Sequence, residues 1–270
     1  MPFIETGGIR FHYALSGSAG PLVVFQHGLG GDVSQPQGIL GNSTVLRTLS
    51  FDCRGHGRTK PMGPPESLRF SVFADDLRNI LNALHMETVV AGGISMGAGV
   101  ALNFALRYPS RVKALIISRP AWLDAPSPSN LEILQKLARW LEEHGPEKSR
   151  TLLMADPEFV RIRSMSRESS ASILRQLERP HLEEAIATLA QLPADAPCPA
   201  PEGWRGLSMP TLVLINGSDP MHPAGYGERL AAGIPGASLV DIASKEKDPV
   251  LHVFEARKAI EGFVSSLADR

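Results

Sequence analysis

The sequence predicts an α/β fold: a mostly parallel, twisted sheet with helices on both faces and a helical segment inserted into it. Two observations predict this fold. Short apolar segments typical of buried strands alternate along the chain with segments whose apolar residues recur at helical spacing. From residue 119 to residue 205, by contrast, only helical patterns occur. The length of 270 residues, 43% of them hydrophobic, is enough for a large buried core.

Small and turn-forming residues mark where the predicted strands and helices of the core begin and end. A Gly-Gly pair at 7–8 separates two alternating segments and predicts a hairpin. The further predicted strands are PLVVFQHG, TVLRTLSFDCRG, METVVAGG, RVKALIIS, MPTLVLING and ASLVDI. The predicted helices are residues 70–84, GAGVALNFALRYP, AGYGERLAAGI and the closing FEARKAIEGFVSSL.

The helical block 119–205 divides the predicted core into residues 1–118 and 206–270. A capping-box pattern from Ser129 to Glu132 predicts a helix start, and Gly145-Pro146 predicts its end. Further helical patterns follow up to Leu192, and a proline-rich segment leads back to the core. We expect this block to be a cap over one edge of the core that sets substrate choice.

The charge and composition of the chain indicate which kinds of binding partner are expected. A formal net charge of −1 gives no electrostatic reason for binding nucleic acid or an anionic membrane. No apolar segment reaches membrane-spanning length, and the first residues lack the pattern of a signal peptide, so we expect a cytoplasmic protein. Cys53 and Cys198 make neither a disulfide framework nor a metal cluster. We expect a small-molecule substrate, no cofactor and no metal; homo-oligomer formation is left open.

The segment VVAGGISMGAGVAL carries the strongest chemical signal. Ser95 lies between Gly93 and Gly97, after a predicted strand and before a predicted helix. That context is typical of a nucleophile elbow, a turn so tight that its neighbours must be small. The turn exposes the serine hydroxyl near the N-terminus of a helix, where free N–H groups carry partial positive charge. The motif alone is weak evidence for a nucleophile elbow. The predicted strand before it and the predicted helix after it make that interpretation considerably more specific.

Five segments together resemble the α/β-hydrolase superfamily over nearly the whole chain. HGLG at 27–30 resembles its oxyanion loop, and DCRGHG at 52–57 resembles the loop after the next strand. GISMG at 93–97 resembles its elbow, and PTLVLINGSDP at 210–220 resembles the strand and loop that present the acid. DPVLHVFEARKAIEGFV at 248–264 resembles the histidine loop and final helix.

This resemblance implies a catalytic triad of Ser95, Asp219 and His252, with the helical block as the family's cap. It implies no cofactor, and it is specific for fold but not for substrate. One position departs from the family pattern, because Leu251 stands where a glycine often precedes the catalytic histidine.

Triad chemistry also allows rivals for two of these roles. A serine hydroxyl needs a base to take its proton, and the base needs a carboxylate that fixes its tautomer. Asp124 follows a predicted strand and is an alternative to Asp219 as the acid. His222 is the nearest competitor of His252, but we expect it to start the next helix. His252 is preferred because it follows the last predicted strand and precedes the last predicted helix.

Four further residues are candidates around the reacting group. The backbone N–H groups of Leu29 and Met96 are expected to form the oxyanion hole. Arg119, at the start of the inserted block, either meets a substrate carboxylate or makes a structural salt bridge. Trp122 either contacts substrate or packs within the cap.

A serine nucleophile indicates acyl transfer through an acyl-enzyme. The leading hypothesis is a hydrolase of small carboxylic esters or lactones. A C–C bond hydrolase or an acyltransferase with the same triad is the first alternative. A receptor that keeps the triad but turns over slowly is the second.

Overall fold

The computed structural model describes residues 2–267, which contain eight strands in one sheet. The strands are β1 (Phe3–Thr6), β2 (Ile9–Ser16), β3 (Leu22–Gln26), β4 (Arg47–Phe51), β5 (Val89–Ile94), β6 (Val112–Ser118), β7 (Thr211–Ile215) and β8 (Ser238–Asp241). Their spatial order is β1-β2-β4-β3-β5-β6-β7-β8. The pairs β1–β2 and β2–β4 are antiparallel, and every later pair is parallel. The mostly parallel sheet predicted from the sequence is confirmed.

Helices cover both faces of this sheet, and others form the inserted block. In chain order the helices are α1 (Ser34–Leu40), α2 (Phe70–Ala83), α3 (Met96–Arg107), α4 (Glu132–Ala155), α5 (Pro157–Met165), α6 (Arg167–Arg175), α7 (Leu182–Gln191), α8 (Ala224–Gly233) and α9 (Pro249–Ser266). Successive strand residues point to opposite faces, so Val23 and Phe25 join one apolar core with α1 and α9, while Val24 joins the other with α2, α3 and α8. No helix within residues 2–267 is long and apolar enough to cross a membrane.

The inserted block 119–205 contains α4 to α7 and no strand. Side-chain hydrogen bonds join it to the core at several points. The Phe70 N–H donates to the Asp195 carboxylate over 2.7 Å, and the Asn103 amide donates to the Pro197 carbonyl over 2.7 Å. The Gln176 amide reaches the Leu29 carbonyl in the loop after β3. The block therefore lies over the carboxyl ends of the strands, where Leu29 and its neighbours are.

Helix α4 differs from its predicted course at both ends. Ser129–Leu131 form a short 3-10 turn, and no side chain caps α4, so the predicted capping box is not made. At Gly145 the backbone adopts φ 72°, which breaks the helix, but helical structure resumes directly and runs to Ala155. Pro146 permits this because proline fits the first turn of a helix, where its missing N–H is not needed.

Helix α9 begins earlier than predicted. The Asp248 carboxylate accepts a hydrogen bond from the Leu251 N–H over 2.8 Å, and Pro249 occupies the first helical position. An N-terminal aspartate followed by proline is a strong helix start. His252 therefore lies in the first turns of α9 instead of in a loop.

The turn between β5 and α3 is packed so closely that it requires glycine twice. A Cβ on Gly93 would lie 2.4 Å from the Gly97 carbonyl carbon, and a Cβ on Gly97 would lie 2.3 Å from the Gln26 carbonyl oxygen. Both neighbours are backbone atoms, the first in α3 and the second in β3. The small residues around Ser95 thus serve close approach of β3, β5 and α3.

We predict that Gly93→Ala lowers the free energy of unfolding by about 3 kcal/mol, because neither backbone can move away from the new methyl group. The matched control is Gly262→Ala in α9, whose Cβ would meet no atom within 4 Å. That substitution should raise stability by about 0.5–1 kcal/mol through helix propensity alone. Urea unfolding measures both changes. Equal effects of the two substitutions would contradict the close packing of the turn.

Candidate active site

Ser95 occupies the tip of the turn after β5 in a strained conformation. Its backbone has φ 57° and ψ −115°, a region that residues with a side chain rarely adopt. Its N–H donates to the Ser118 carbonyl over 3.0 Å, which ties the turn to the end of β6. The hydroxyl faces a cavity at the carboxyl ends of the strands. The sheet therefore holds one serine in the geometry of a nucleophile elbow.

Strain recurs at the ends of the two neighbouring strands. Arg119, directly after β6, has φ 47°, and Ser218, in the loop after β7, has φ 60°. Non-glycine residues in this region cost on the order of 1–3 kcal/mol each and cluster at functional sites. All three strained residues line the same cavity. Their concentration at three adjacent strand ends marks this edge of the sheet as the functional one.

A histidine and an aspartate extend from Ser95 in a hydrogen-bonded chain. The Ser95 Oγ lies 2.8 Å from Nε2 of His222, and Nδ1 of His222 lies 3.0 Å from each carboxylate oxygen of Asp219. When Nδ1 carries the imidazole proton, it donates to Asp219 and leaves Nε2 free to accept from the Ser95 hydroxyl. The geometry is that of a nucleophile, a base and an orienting acid.

A single tight turn brings the acid and the imidazole together. Asp219 and Pro220 begin it, and the His222 N–H closes it by donating to the Asp219 carbonyl over 3.2 Å. Proline favours the second position of such a turn and aspartate the first. The next helix, α8, starts only at Ala224. The imidazole is therefore free to point from the turn toward Ser95.

The structure corrects the assignment of His252 as the partner of Ser95. The Nδ1 atom of His252 lies 2.8 Å from the Ala243 carbonyl, and the His252 N–H donates to the Asp248 carbonyl within α9. Its side chain is buried and does not line the cavity. The physical reason is the early start of α9. It places His252 within the helix, where its imidazole bonds to the Ala243 carbonyl in the loop after β8.

Asp219 is an exceptionally well-satisfied buried carboxylate. Oδ2 accepts from Nε of Arg119 over 3.1 Å and also from Nη2 of the same guanidinium. Oδ1 accepts from the Met221 and His222 N–H groups and from the Ser169 hydroxyl, each over 3.2 Å. Burial alone raises the pKa of Asp219, but the charges and hydrogen bonds of His222 and Arg119 outweigh burial and hold it well below its ordinary value. Asp219 is therefore ionised across the physiological range.

The environment also favours the neutral form of His222. Burial lowers the pKa of its imidazole below the ordinary value of 6.5, and the positive charges of Arg119 and Lys245 lower it further. The Asp219 carboxylate acts in the opposite direction but does not cancel them. A neutral imidazole is the form that can accept a proton from Ser95.

The rival acid, Asp124, has a structural position. Its Oδ2 accepts from the Glu202 N–H over 2.8 Å and from the Arg229 guanidinium over 3.3 Å. The first bond joins the start of the inserted block to its end, and the second joins it to α8 of the core. Asp124 makes no contact with the imidazole of His222 in the part of the chain that the structure describes.

The loop after β3 lies beside Ser95 with most of its polar atoms already paired. A Cβ on Gly28 would be 3.4 Å from the Ser95 Cβ, so the two backbones are close neighbours. The Gly28 N–H donates to the Gln35 side chain over 2.7 Å, and the Gly28 carbonyl accepts from Gly31 N–H and faces His27 Nδ1. The Leu29 carbonyl accepts from Gln176 over 3.3 Å.

Two backbone N–H groups near Ser95 have no hydrogen-bond acceptor in the described part of the protein. Among residues 2–267, neither the Leu29 N–H nor the Met96 N–H donates a hydrogen bond to another protein group. Met96 is the first residue of α3, where free N–H groups and the helix dipole favour negative charge. These two groups were the expected oxyanion donors, and both lie next to Ser95 in sequence or in space.

Arg119 and Trp122 both line the cavity, but the side chain of each already makes contacts within the protein. The Arg119 guanidinium is held by Asp219 and is only 8% exposed, so the structure supports the salt-bridge interpretation over a substrate carboxylate. Trp122 is buried, donates its indole N–H to the Leu192 carbonyl and packs edge-on against Phe70. The expectation that either residue binds substrate remains a prediction, and for Arg119 it is the less favoured one.

The cavity has a volume of about 100 Å³, and its lining is partly apolar and partly polar. The apolar lining comes from the inserted block, β5 and the loop after β3: Leu29, Ile94, Trp122, Leu131, Leu134 and Ile173. The polar and charged lining includes side chains of α6, its N-terminal cap and the loop after β8: Ser166, Glu168, Ser172, Arg175, Lys245 and Glu246. Within residues 2–267, no group of three or more His, Cys, Asp or Glu side chains could hold a metal ion.

Comparison with known proteins agrees with this architecture. Residues 21–247 match the family model described as alpha/beta hydrolase fold. A 2-hydroxy-6-oxononadienedioate/2-hydroxy-6-oxononatrienedioate hydrolase of Paraburkholderia xenovorans is 27% identical over 243 residues, which are 86% of this chain and 82% of the relative.

Solved structures resemble the whole chain. The enol-lactonase of Burkholderia xenovorans superposes with a TM-score of 0.71 at 20% identity, covering 100% of both chains. A thermophilic esterase of Thermogutta terrifontis superposes with a TM-score of 0.73 at 24% identity, covering 98% of this chain and 97% of the esterase. With the family model matching most of its length, this chain belongs to the alpha/beta hydrolase family.

Proposed function

We propose that this protein is a serine hydrolase that cleaves small carboxylic esters or lactones through an acyl-enzyme on Ser95. His222 is the general base and Asp219 the acid that orients it. The observation that carries the proposal is the continuous chain from Ser95 Oγ through His222 to Asp219, with 2.8 Å and 3.0 Å between the successive heavy atoms. The substrate is a small molecule, and no step requires a cofactor.

The proposed reaction has two halves. Ser95 Oγ attacks the carbonyl carbon while His222 Nε2 takes its proton, and the Leu29 and Met96 N–H groups donate to the oxyanion. The C–O bond to the leaving group then breaks as His222 returns the proton to the leaving oxygen. In the second half, His222 takes a proton from water, which attacks the acyl carbon. Collapse releases the carboxylic acid, and the proton returns to Ser95.

The size and lining of the cavity support a small substrate. Its volume of about 100 Å³ lies below the roughly 300–1,000 Å³ of pockets that hold drug-sized ligands. The apolar part of its lining suits a short hydrocarbon group, and the polar part, which includes Lys245 and Glu246, suits hydrogen-bonding groups. Short-chain esters and small lactones offer both kinds of group.

A second candidate is a C–C bond hydrolase that uses the same three residues. The observation that favours it is the relative from Paraburkholderia xenovorans, which is named as a hydrolase of 2-hydroxy-6-oxo dienedioates and covers most of this chain. Product analysis separates the candidates. An ester yields an alcohol and an acid, whereas hydrolysis of a C–C bond yields two products that were linked carbon to carbon in the substrate.

We expect a fluorophosphonate to label one peptide, that containing Ser95. Among residues 2–267, only this hydroxyl has an imidazole nitrogen at hydrogen-bond distance, which is 2.8 Å. Intact-mass and peptide mass spectrometry measure the label. Ser95→Ala should lose both the label and turnover of short-chain aryl esters. Labelling at another residue, or full turnover by Ser95→Ala, would disprove the nucleophile.

The two histidines give a second test. We expect His222→Ala to lower kcat for an aryl ester by about a thousandfold or more, because Ser95 then has no base. His252→Ala should keep kcat within a few-fold once the folded fraction is matched by circular dichroism, since His252 bonds to the Ala243 carbonyl. A dead His252→Ala beside an active His222→Ala would reverse the assignment.

The pH profile of kcat/KM gives a third test. Activity requires neutral His222, so it should rise with pH through a midpoint below the ordinary imidazole value, because burial and the Arg119 charge lower the pKa of this group. Arg119→Gln removes one positive charge and should move the midpoint to higher pH. Arg119→Lys, which keeps the charge, should move it less. A midpoint above 6.5 in the wild type, or no shift in Arg119→Gln, would contradict the environment described for His222.

A further inference from the structure

One helical stretch of the inserted block, between α5 and α7, presents one face to the active site. It consists of α6 and the 3-10 turn that follows it, Gln176–Glu178, and is called here the site-facing helix. Ser169 and Gln176 are seven residues apart, which is close to two helical turns, so both side chains project from the same side. Each is only 6% exposed, and each contacts a different part of the site.

Ser169 contacts the acid. Its hydroxyl donates to Oδ1 of Asp219 over 3.2 Å, on the carboxylate oxygen opposite the one that Arg119 holds. The carboxylate is therefore held from the core by Arg119 and from the inserted block by Ser169. Its plane determines the direction in which the imidazole of His222 is held.

Gln176 contacts the oxyanion loop. Its Nε2 donates to the Leu29 carbonyl over 3.3 Å, and a Cβ on Gly30 would lie 2.3 Å from the same nitrogen, so the amide packs directly on the loop. The preceding peptide is held separately, because the Gly28 carbonyl accepts from the Gly31 N–H and faces His27 Nδ1. With both peptides around Leu29 held, the direction of the Leu29 N–H is set.

The site-facing helix is itself anchored to the core. Ser166 caps its N-terminus by accepting from the Ser169 N–H over 3.0 Å, and the Ser166 hydroxyl donates to Glu246 over 3.0 Å. The Glu168 N–H donates to the same Glu246 oxygen over 2.9 Å, and the Glu168 carboxylate pairs with Lys245. The loop after β8 therefore holds one end of the helix while its face contacts the site.

We infer that Ser169 and Gln176 are positioning residues, through which the inserted block holds the acid and the oxyanion donor in their working orientations. The inference rests on the proposed function and extends it: the block completes the catalytic geometry as well as shaping the cavity. Neither residue needs to touch the reacting atoms. Their contribution belongs to kcat more than to KM, since they orient groups that act on the transition state.

Ser170 provides a matched control. It follows Ser169 on the same helix, is similarly buried and does not line the cavity. Its hydroxyl donates to the Arg167 carbonyl of the same helix over 2.9 Å. Ser170→Ala removes a buried hydroxyl without changing the groups that hold Asp219 or Leu29, so a helix with a merely structural role would respond alike at Ser169 and Ser170.

The kinetic test compares Ser169→Ala, Gln176→Glu and Ser170→Ala with p-nitrophenyl acetate. We expect kcat to fall about 3–10-fold in Ser169→Ala and about 10–100-fold in Gln176→Glu, with KM changed less than about twofold. The glutamate cannot donate to the Leu29 carbonyl, and its charge opposes a neighbouring oxyanion. Ser170→Ala should keep kcat within about twofold. Equal changes in all three variants, or changes confined to KM, would overturn the inference.

A substrate-free measurement separates this inference from the proposed function. In the proton spectrum, the imidazole Nδ1–H of His222 should shift in Ser169→Ala, and the backbone amides of Leu29 and Gly30 should shift in Gln176→Glu, while Ser170→Ala leaves all three in place. Unshifted resonances would overturn the positioning role whether or not the ester is turned over. Shifted resonances in a protein that neither hydrolyses the ester nor reacts with fluorophosphonate would reject the proposed function and support the positioning.

Discussion

The site depends on keeping one buried carboxylate ionised. The Asp219 side chain is 5% exposed, and an unpaired charge at such depth would be strongly unfavourable. Two donors of Arg119 on Oδ2, two backbone N–H groups and the Ser169 hydroxyl on Oδ1 satisfy it, and His222 completes the set. Because Asp219 is negative, the imidazole proton stays on Nδ1. Because that proton stays there, Nε2 is available to the Ser95 hydroxyl.

The parallel sheet makes this arrangement possible. Strands β5, β6 and β7 are adjacent, and their carboxyl ends carry Ser95, Arg119 and the loop of Asp219 and His222. Parallel strands end at the same edge, so residues distant in sequence meet there. The strained backbones at 95, 119 and 218 show how sharply the chain turns as it leaves each strand. A rigid sheet can hold such strain because its register is set by hydrogen bonds on both sides.

Much of this architecture could be predicted from the sequence, because it rests on local patterns. Alternating strand and helix patterns predicted the sheet, and small residues around Ser95 predicted its turn. The error at His252 arose from one helix boundary: Asp248-Pro249 is a helix-start signal, and it places His252 inside α9. The matching signal at Asp219-Pro220 predicts a turn, which is what frees His222 to face Ser95. The contacts of Arg119, Ser169 and Gln176 depend on how distant segments pack, and no local pattern encodes them.

A crystal structure of the fluorophosphonate adduct tests most directly whether His222 serves Ser95 while Asp219 orients it. We expect phosphorus bonded to Ser95 Oγ, with one phosphoryl oxygen about 3 Å from both the Leu29 and Met96 nitrogens. We also expect His222 Nε2 within hydrogen-bond distance of an adduct oxygen, with Nδ1 still on Asp219. An adduct in which the imidazole of His252 occupies that position, with His222 turned away, would contradict this assignment.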